Sequence, residues 1–366
     1  MQERKLPDFF LLTITFVLTC FGLVAVYSAS FAISFERYHD ASYFFTRQLM
    51  WAILGFIALL ITMNIPYKFL RKLSPLMFFV TLFLLVIVLI PGIGVERNFA
   101  QRWIGFGPIL IQPSELLKVV ISIYFAHYLS KRLDRMDEFK ETVQPILIML
   151  AICFGLIMLQ PDFSTAVIIA IITFTLLFSA GARIKHLFLV GVAMLPLVII
   201  MAIWKPYRIK RLMTFLDPWA ADSLKEGYQI IHSLYAFGNG GISGVGFGAG
   251  LQKLFYLPEP HTDFIFSIIG EELGLIGAIS IILLFALFLW RGLLISSKVE
   301  DPFGSLLALS LTVMISVQAF MNIAITIGML PVTGLTLPFI SYGGSSLLVT
   351  LIATGIILNI SRDVSK

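Results

Sequence analysis

The residue best placed for chemistry is Asp263. It lies in Leu257-Pro258-Glu259-Pro260-His261-Thr262-Asp263-Phe264-Ile265-Phe266, where a loop runs into a long apolar stretch and aromatic neighbours would limit water. A carboxyl in such a setting resists ionisation, which lifts its pKa toward the range that a general base needs. Glu271 and Glu272 follow eight and nine residues later, about 12–14 Å deeper along a helix. At about 100° per residue, Glu272 points nearly opposite Asp263 and Glu271 about 80° away. Neither can act at one atom with Asp263, and both read as buried structural or gating residues.

Three further clusters place polar groups beside apolar runs. Gln101-Arg102-Trp103-Ile104-Gly105 precedes Gln112-Pro113-Ser114-Glu115 and Lys118. Pro113 suits a first helical turn, Glu115 favours a helix N-terminus, and Lys118 shares its face. The pair could be self-neutralising, or could line a polar cavity; Trp103 could equally be an interfacial belt residue. Gln160-Pro161-Asp162 repeats the Gln-Pro-acid pattern, with Asp162 either a helix cap, a cavity residue or both. The basic patch Arg208, Lys210 and Arg211 could meet anionic headgroups or a pyrophosphate. Pro331 to Phe339, followed by Ser341-Tyr342-Gly343-Gly344-Ser345-Ser346, makes poor regular helix. Such backbone is tolerated at membrane depth only where it is buried or lines a cavity. The glycines between Gly238 and Gly250 follow no strand and lack the Lys-Ser/Thr of a phosphate loop, so they read as a closely packed loop.

The elements that must hold these residues are membrane helices. Of 366 residues, 58% are hydrophobic and 13% charged, about half the charge of an average soluble domain. Mean hydropathy is +0.95. Apolar runs of spanning length begin near Phe9, Gln48, Pro75, Ser114, Pro145, Ser164, Leu187, Asp263, Gly304 and Ser341. The sequence therefore predicts an all-α polytopic membrane protein of about ten transmembrane helices, one integral membrane domain over residues 1–366. With the N-terminus inside, the inner segments carry fifteen Lys and Arg; the short outer loops carry only Arg37, Arg47, Arg97 and Arg102. The positive-inside rule then puts both termini in the cytoplasm and one long extracytoplasmic loop, about 205–262, between helices 7 and 8. All the polar clusters fall on the outer side. Tyr27-Ser28-Ala29-Ser30 could pass for a cleavage site, but the run from Phe9 is longer than a signal-peptide core. Cys20 and Cys153 sit in apolar runs and suggest neither a disulfide nor a metal site.

Taken together, Arg102-Trp103, Gln112 to Glu115, Gln160 to Asp162, Tyr207-Arg208, Leu257 to Phe266 and Gly334 to Ser346 resemble the SEDS family, that of FtsW, RodA and SpoVE. The likeness runs over nearly the whole chain; Gly270-Glu271-Glu272-Leu273-Gly274 and the short tails look most like the FtsW/SpoVE branch. The resemblance implies a peptidoglycan glycosyltransferase of the bacterial cytoplasmic membrane, its active site facing outside. It would polymerise lipid II into β-1,4-linked glycan with release of undecaprenyl pyrophosphate, for division, elongation or sporulation. Asp263 matches the essential acid of the family. Glu115, Lys118 and Asp162 match cavity residues, and Arg102 and Trp103 match an outer-loop motif; Arg208, Lys210, Ser341 and Ser345 complete the expected substrate-binding set. A divalent cation such as Mg or Mn could bridge pyrophosphate and carboxylates, although no ligand spacing demonstrates one. The implied partners are a class B penicillin-binding protein, other divisome or elongasome membrane proteins, and membrane lipids; nothing points to nucleic acid.

Two other readings compete. A lipid II flippase would also use buried charges and a broken helix, yet the polar clusters gather on one side and no inverted repeat is visible. A scaffold without chemistry would have no use for the acid at Asp263 in its polar surround.

Overall fold

The computed structural model describes residues 6–97, 100–106, 109–192, 206–219 and 227–364, and the side chains of all but 97, 106, 109 and 206–208. Helix α1 (Phe9–Tyr38) starts at Asp8, whose side chain accepts from the Leu11 N–H at 2.9 Å, and Tyr27 to Ser30 lie inside it. α2 (Tyr43–Asn64) stops at Ile65-Pro66, because a residue before proline is pushed out of the helical region. α3 (Tyr67–Ile87) begins earlier than its apolar run suggested and carries Pro75 within it. Proline leaves the Arg71 carbonyl without its helical donor, and the Ser74 hydroxyl donates to that oxygen at 3.0 Å instead.

α4 (Pro113–Ser130), α5 (Gln144–Leu159, continued backwards by a π-turn over Phe139–Val143) and α6 (Phe163–Ser179) follow. A further helix, α7, occupies 184–192, and the rest of the run expected from Leu187 lies outside the described residues. The long loop contains α8 (Pro206–Leu216) and α9 (Tyr228–Gly240). The chain then forms α10 (Ile265–Lys298), α11 (Pro302–Thr326) and α12 (Gly344–Ile360). Seven of the described helices are long and apolar enough to cross a membrane: α1, α2, α3, Phe139–Leu159, α10, α11 and Gly344–Asp363. Phe79, Phe83, Leu283 and Trp290 are exposed on outward faces, as lipid-facing residues would be.

The expectation of an all-α chain needs one correction. Between α3 and α4 lies an antiparallel sheet of β1 (Gly94–Arg97), β2 (Ala100–Phe106) and β3 (Ile109–Ile111), in that order. Strands this short carry too little alternation to announce themselves, and outside a bilayer core backbone pairing need not be helical.

Helices pack where small residues let backbones approach, since lipid offers no hydrophobic drive between them. α12 lies along α2, and a Cβ at Gly355 would sit 2.6 Å from the Leu59 carbonyl oxygen. α10 is the exception to regularity. It breaks at Gly274 (φ 65°, ψ −161°), a conformation that only glycine adopts readily. Loop residues 241–246 fill the break. Val245 and Gly246 N–H groups donate to the Glu271 and Glu272 carbonyls, while Leu275 and Ile276 donate to the carbonyls of Gly241 and Ile242.

Candidate active site

Pro113 starts α4, and the first turns after it place Glu115 and Lys118 three residues apart on one buried face. Their ion pair is 2.9 Å long, and the ammonium also donates to Gln318 Oε1 at 2.5 Å. The second carboxylate oxygen, Glu115 Oε2, has no partner among the described residues. The pair is therefore both neutralised and left with one acceptor open.

Asp162 caps α6 and also serves the neighbouring arm. It accepts from the Thr165 N–H and hydroxyl, from Gln112 Nε2 at 3.1 Å and from the Ser114 hydroxyl at 3.3 Å. Arg102 reaches it at 4.0 Å while donating to the carbonyls of Gln160 and Pro161. The two Gln-Pro-acid turns expected from the sequence are thus physically joined. Ser345 ties the start of α12 to this arm, donating to the Leu110 carbonyl and accepting from the Gln112 N–H.

Asp263 sits just before α10. Its Oδ1 accepts from the Thr262 hydroxyl at 2.8 Å, and its backbone carbonyl accepts from Asn322 at 2.8 Å. Burial pushes the carboxyl up to about 6, with Glu259 adding to the rise; the Thr262 hydroxyl and the Arg211 charge oppose it. Gly334 (φ 75°) leaves the space beside it open, since a Cβ there would stand 3.9 Å from Asp263 Oδ2. Arg211 on α8 donates to the Val332 carbonyl at 3.0 Å, which brings the basic helix over the broken segment. Lys210 is exposed on that helix, and the Arg208 side chain lies outside the described residues.

A family model described as cell cycle protein, FTSW_RODA_SPOVE, matches residues 9–366. The chain belongs to this FtsW/RodA/SpoVE family. It is 44% identical over 360 residues to stage V sporulation protein E of Bacillus subtilis, covering 98% of each chain. It is 45% identical over 354 residues to a probable peptidoglycan glycosyltransferase FtsW of Trichlorobacter lovleyi, covering 97% of this chain and 93% of that one. Its fold matches a chain in a structure described as structural coordination of polymerization and crosslinking by a peptidoglycan synthase complex. There the TM-score is 0.80 at 27% identity, with 98% of both chains covered.

Two expected residues of this FtsW/RodA/SpoVE protein fall short of the site. Ser341 is buried and its hydroxyl accepts from the Leu337 N–H at 2.8 Å, so it staples a turn. Trp103 is half-buried in β2 opposite Val95, and its indole makes no hydrogen bond among the described residues. No group of three or more His, Cys, Asp or Glu that could hold a metal occurs among the described residues. Glu115 and Asp162 are instead engaged by Lys118 and Arg102.

The structure also brings in residues that the sequence reading missed. Gln318 and Asn322, two buried amides on the apolar α11, contact Lys118 and Asp263. A signal was present, since polar side chains at membrane depth are expensive. His261 is buried between Phe44 and Tyr342, and burial pushes its imidazole down to about 4, so it is neutral near pH 7. Lys253 is buried and pairs with Glu272 at 2.6 Å.

Proposed function

We propose that Asp263 is the general base of a lipid II polymerisation reaction at the outer ends of these helices. The chain is a peptidoglycan glycosyltransferase. The observation that carries the assignment of Asp263 is its setting. A partly exposed carboxyl, lifted to about 6 by the protein around it, lies beside an opening kept by Gly334 and within the field of Arg211. Such a group is ionised at neutral pH yet basic enough to take a proton as a sugar hydroxyl attacks.

In the reaction the 4-hydroxyl of one disaccharide attacks the anomeric carbon of another. Its proton passes to Asp263, a new C–O bond forms on the opposite face from the leaving group, and the bond to undecaprenyl pyrophosphate breaks. Inversion gives the β-1,4 link. The leaving pyrophosphate gains negative charge, and preorganised cations stabilise such charge best where water is excluded. Arg211 and Lys210 on α8, and the Lys118 arm, are the cations suited to this.

We further read the chain as one membrane unit of ten helices, adding α4, α6 and the helix begun at 184–192 to the seven long ones. The Lys and Arg asymmetry supports both termini inside and the cavity outside. Its likeness to a chain of a peptidoglycan synthase complex supports a class B penicillin-binding protein as partner.

The test is polymerisation itself. Purified protein, with and without that partner, is incubated with lipid II and the glycan product measured. Polymer is expected from the wild type and none from Asp263→Ala of equal stability and partner binding. Undiminished polymer from Asp263→Ala would remove it as base, and transfer of lipid between leaflets without polymer would support a flippase.

A further inference from the structure

α11 is apolar along most of its length, yet it buries Gln318 and Asn322 one turn apart. Both amides grip the non-helical stretch that follows Pro331. Gln318 donates to the Thr336 carbonyl at 3.1 Å, and Asn322 donates to the Leu335 carbonyl at 2.5 Å. Carbonyls of a broken segment have no helical partners and need donors from elsewhere. That need alone would explain two amides.

It does not explain their other bonds. Gln318 Oε1 accepts from Lys118 Nζ, and the second Asn322 N–H goes to the backbone of Asp263. Successive carbonyls of one segment are thereby joined to the two charged arms of the cavity. The remaining atom, Asn322 Oδ1, is buried with no partner among the described residues. An orphaned acceptor costs about 1–3 kcal/mol.

We propose that Gln318 and Asn322 are positioning residues, a two-amide ruler on α11 that fixes the separation of Lys118 from Asp263. The inference rests on Asp263 being the base. Asn322 holds the acid at the backbone, and the spacing of i and i+4 on a rigid helix, about 6 Å along its axis, sets where the cationic arm can stand.

The experiment is steady-state polymerisation of lipid II by the full-length protein with its penicillin-binding partner, per mole of folded enzyme, across pH. Asn322→Ala should lower kcat about 100-fold, the scale expected for a displacement of about 1 Å, with KM changed less than about twofold. It should also move the acidic limb of the pH profile. Gln318→Met acts through Lys118, so it should raise KM and leave that limb in place, while Gln318→Glu, which keeps an oxygen for Lys118, should recover most of the KM. A structural role would reduce the yield of folded protein and leave kcat and the limb unmoved, and that result overturns the proposal. Should Asn322→Ala not fold, Asn322→Ser replaces it: a reduced kcat and a shifted limb support the ruler, and wild-type values overturn it. Asp263→Ala run in parallel separates the two readings. Inactive Asp263→Ala beside wild-type kinetics for Asn322→Ala removes only the ruler, whereas active Asp263→Ala removes both.

Discussion

The protein holds two clusters of buried charge, and they are finished differently. Where the glycine-rich loop meets α10, every carboxylate oxygen is used. Glu271 accepts from the N–H groups of Leu251 and Gln252 and from Asn239; Glu272 accepts from Lys253 and, at both oxygens, from Ser28. Lys253 additionally lies 5.1 Å from the Phe31 ring and donates to the Gly248 carbonyl. In the cavity, Glu115 Oε2, Asn322 Oδ1 and His261 Nδ1 have no partner among the described residues. Buried polar atoms are nearly always satisfied. The carboxylates of the joint are thus fully bonded, whereas Glu115 in the cavity keeps one acceptor open.

Breaking the joint should have the largest effect. Lys253→Met leaves Glu272 buried without its cation and should cost about 3–5 kcal/mol, read as a fall in thermal stability in detergent. Adding Glu272→Leu should recover much of that loss, because an apolar pair of similar volume can replace a buried ion pair. Equal stability of Lys253→Met and wild type would erase the contrast. Glu115→Gln should do the reverse, reducing polymerisation at least about tenfold, the lower range for a lost electrostatic contribution, with less than half the thermal shift of Lys253→Met.

Two smaller effects sharpen the cavity side. As the proposed general base Asp263 acts when ionised, so kcat/KM should be level above pH 7 and fall about tenfold per unit well below its pKa near 6. The sign for stability is opposite. A carboxyl whose pKa is raised by folding stabilises the fold while protonated, and that contribution is lost as pH rises through about 6. Asp263→Asn should therefore be inactive yet melt about 2 °C higher than wild type at pH 8, with the difference shrinking as pH falls through about 6 and gone only below the unfolded carboxyl value of about 4. A lower melting point at pH 8 would show that the charge is better accommodated than its surroundings imply.

Helices were legible in the chain because length and apolarity are local properties. α1, α11 and α12 begin within three residues of where the apolar runs do. Pro75 misled, since its cost is met by Ser74, a compensation visible only in three dimensions. The paired Gln-Pro-acid turns and the Glu115–Lys118 spacing were readable for the same local reason. Lys253 was not. It sits between Gln252 and Leu254 in a loop, and its partner Glu272 is nineteen residues away, on α10. Gln318 and Asn322 fall between these cases. Their spacing was plain, but the carbonyls they grip belong to a segment whose path no periodicity describes.

The plugged break in α10 bears on how the protein is made. Residues 241–246 leave the ribosome before the helix whose interruption they complete, so the plug precedes its socket. The Glu271 and Glu272 carbonyls gain their missing donors only when that earlier segment is already at hand. Chain order thus gives assembly a direction: the loop is a template on which the first turns of α10 are finished.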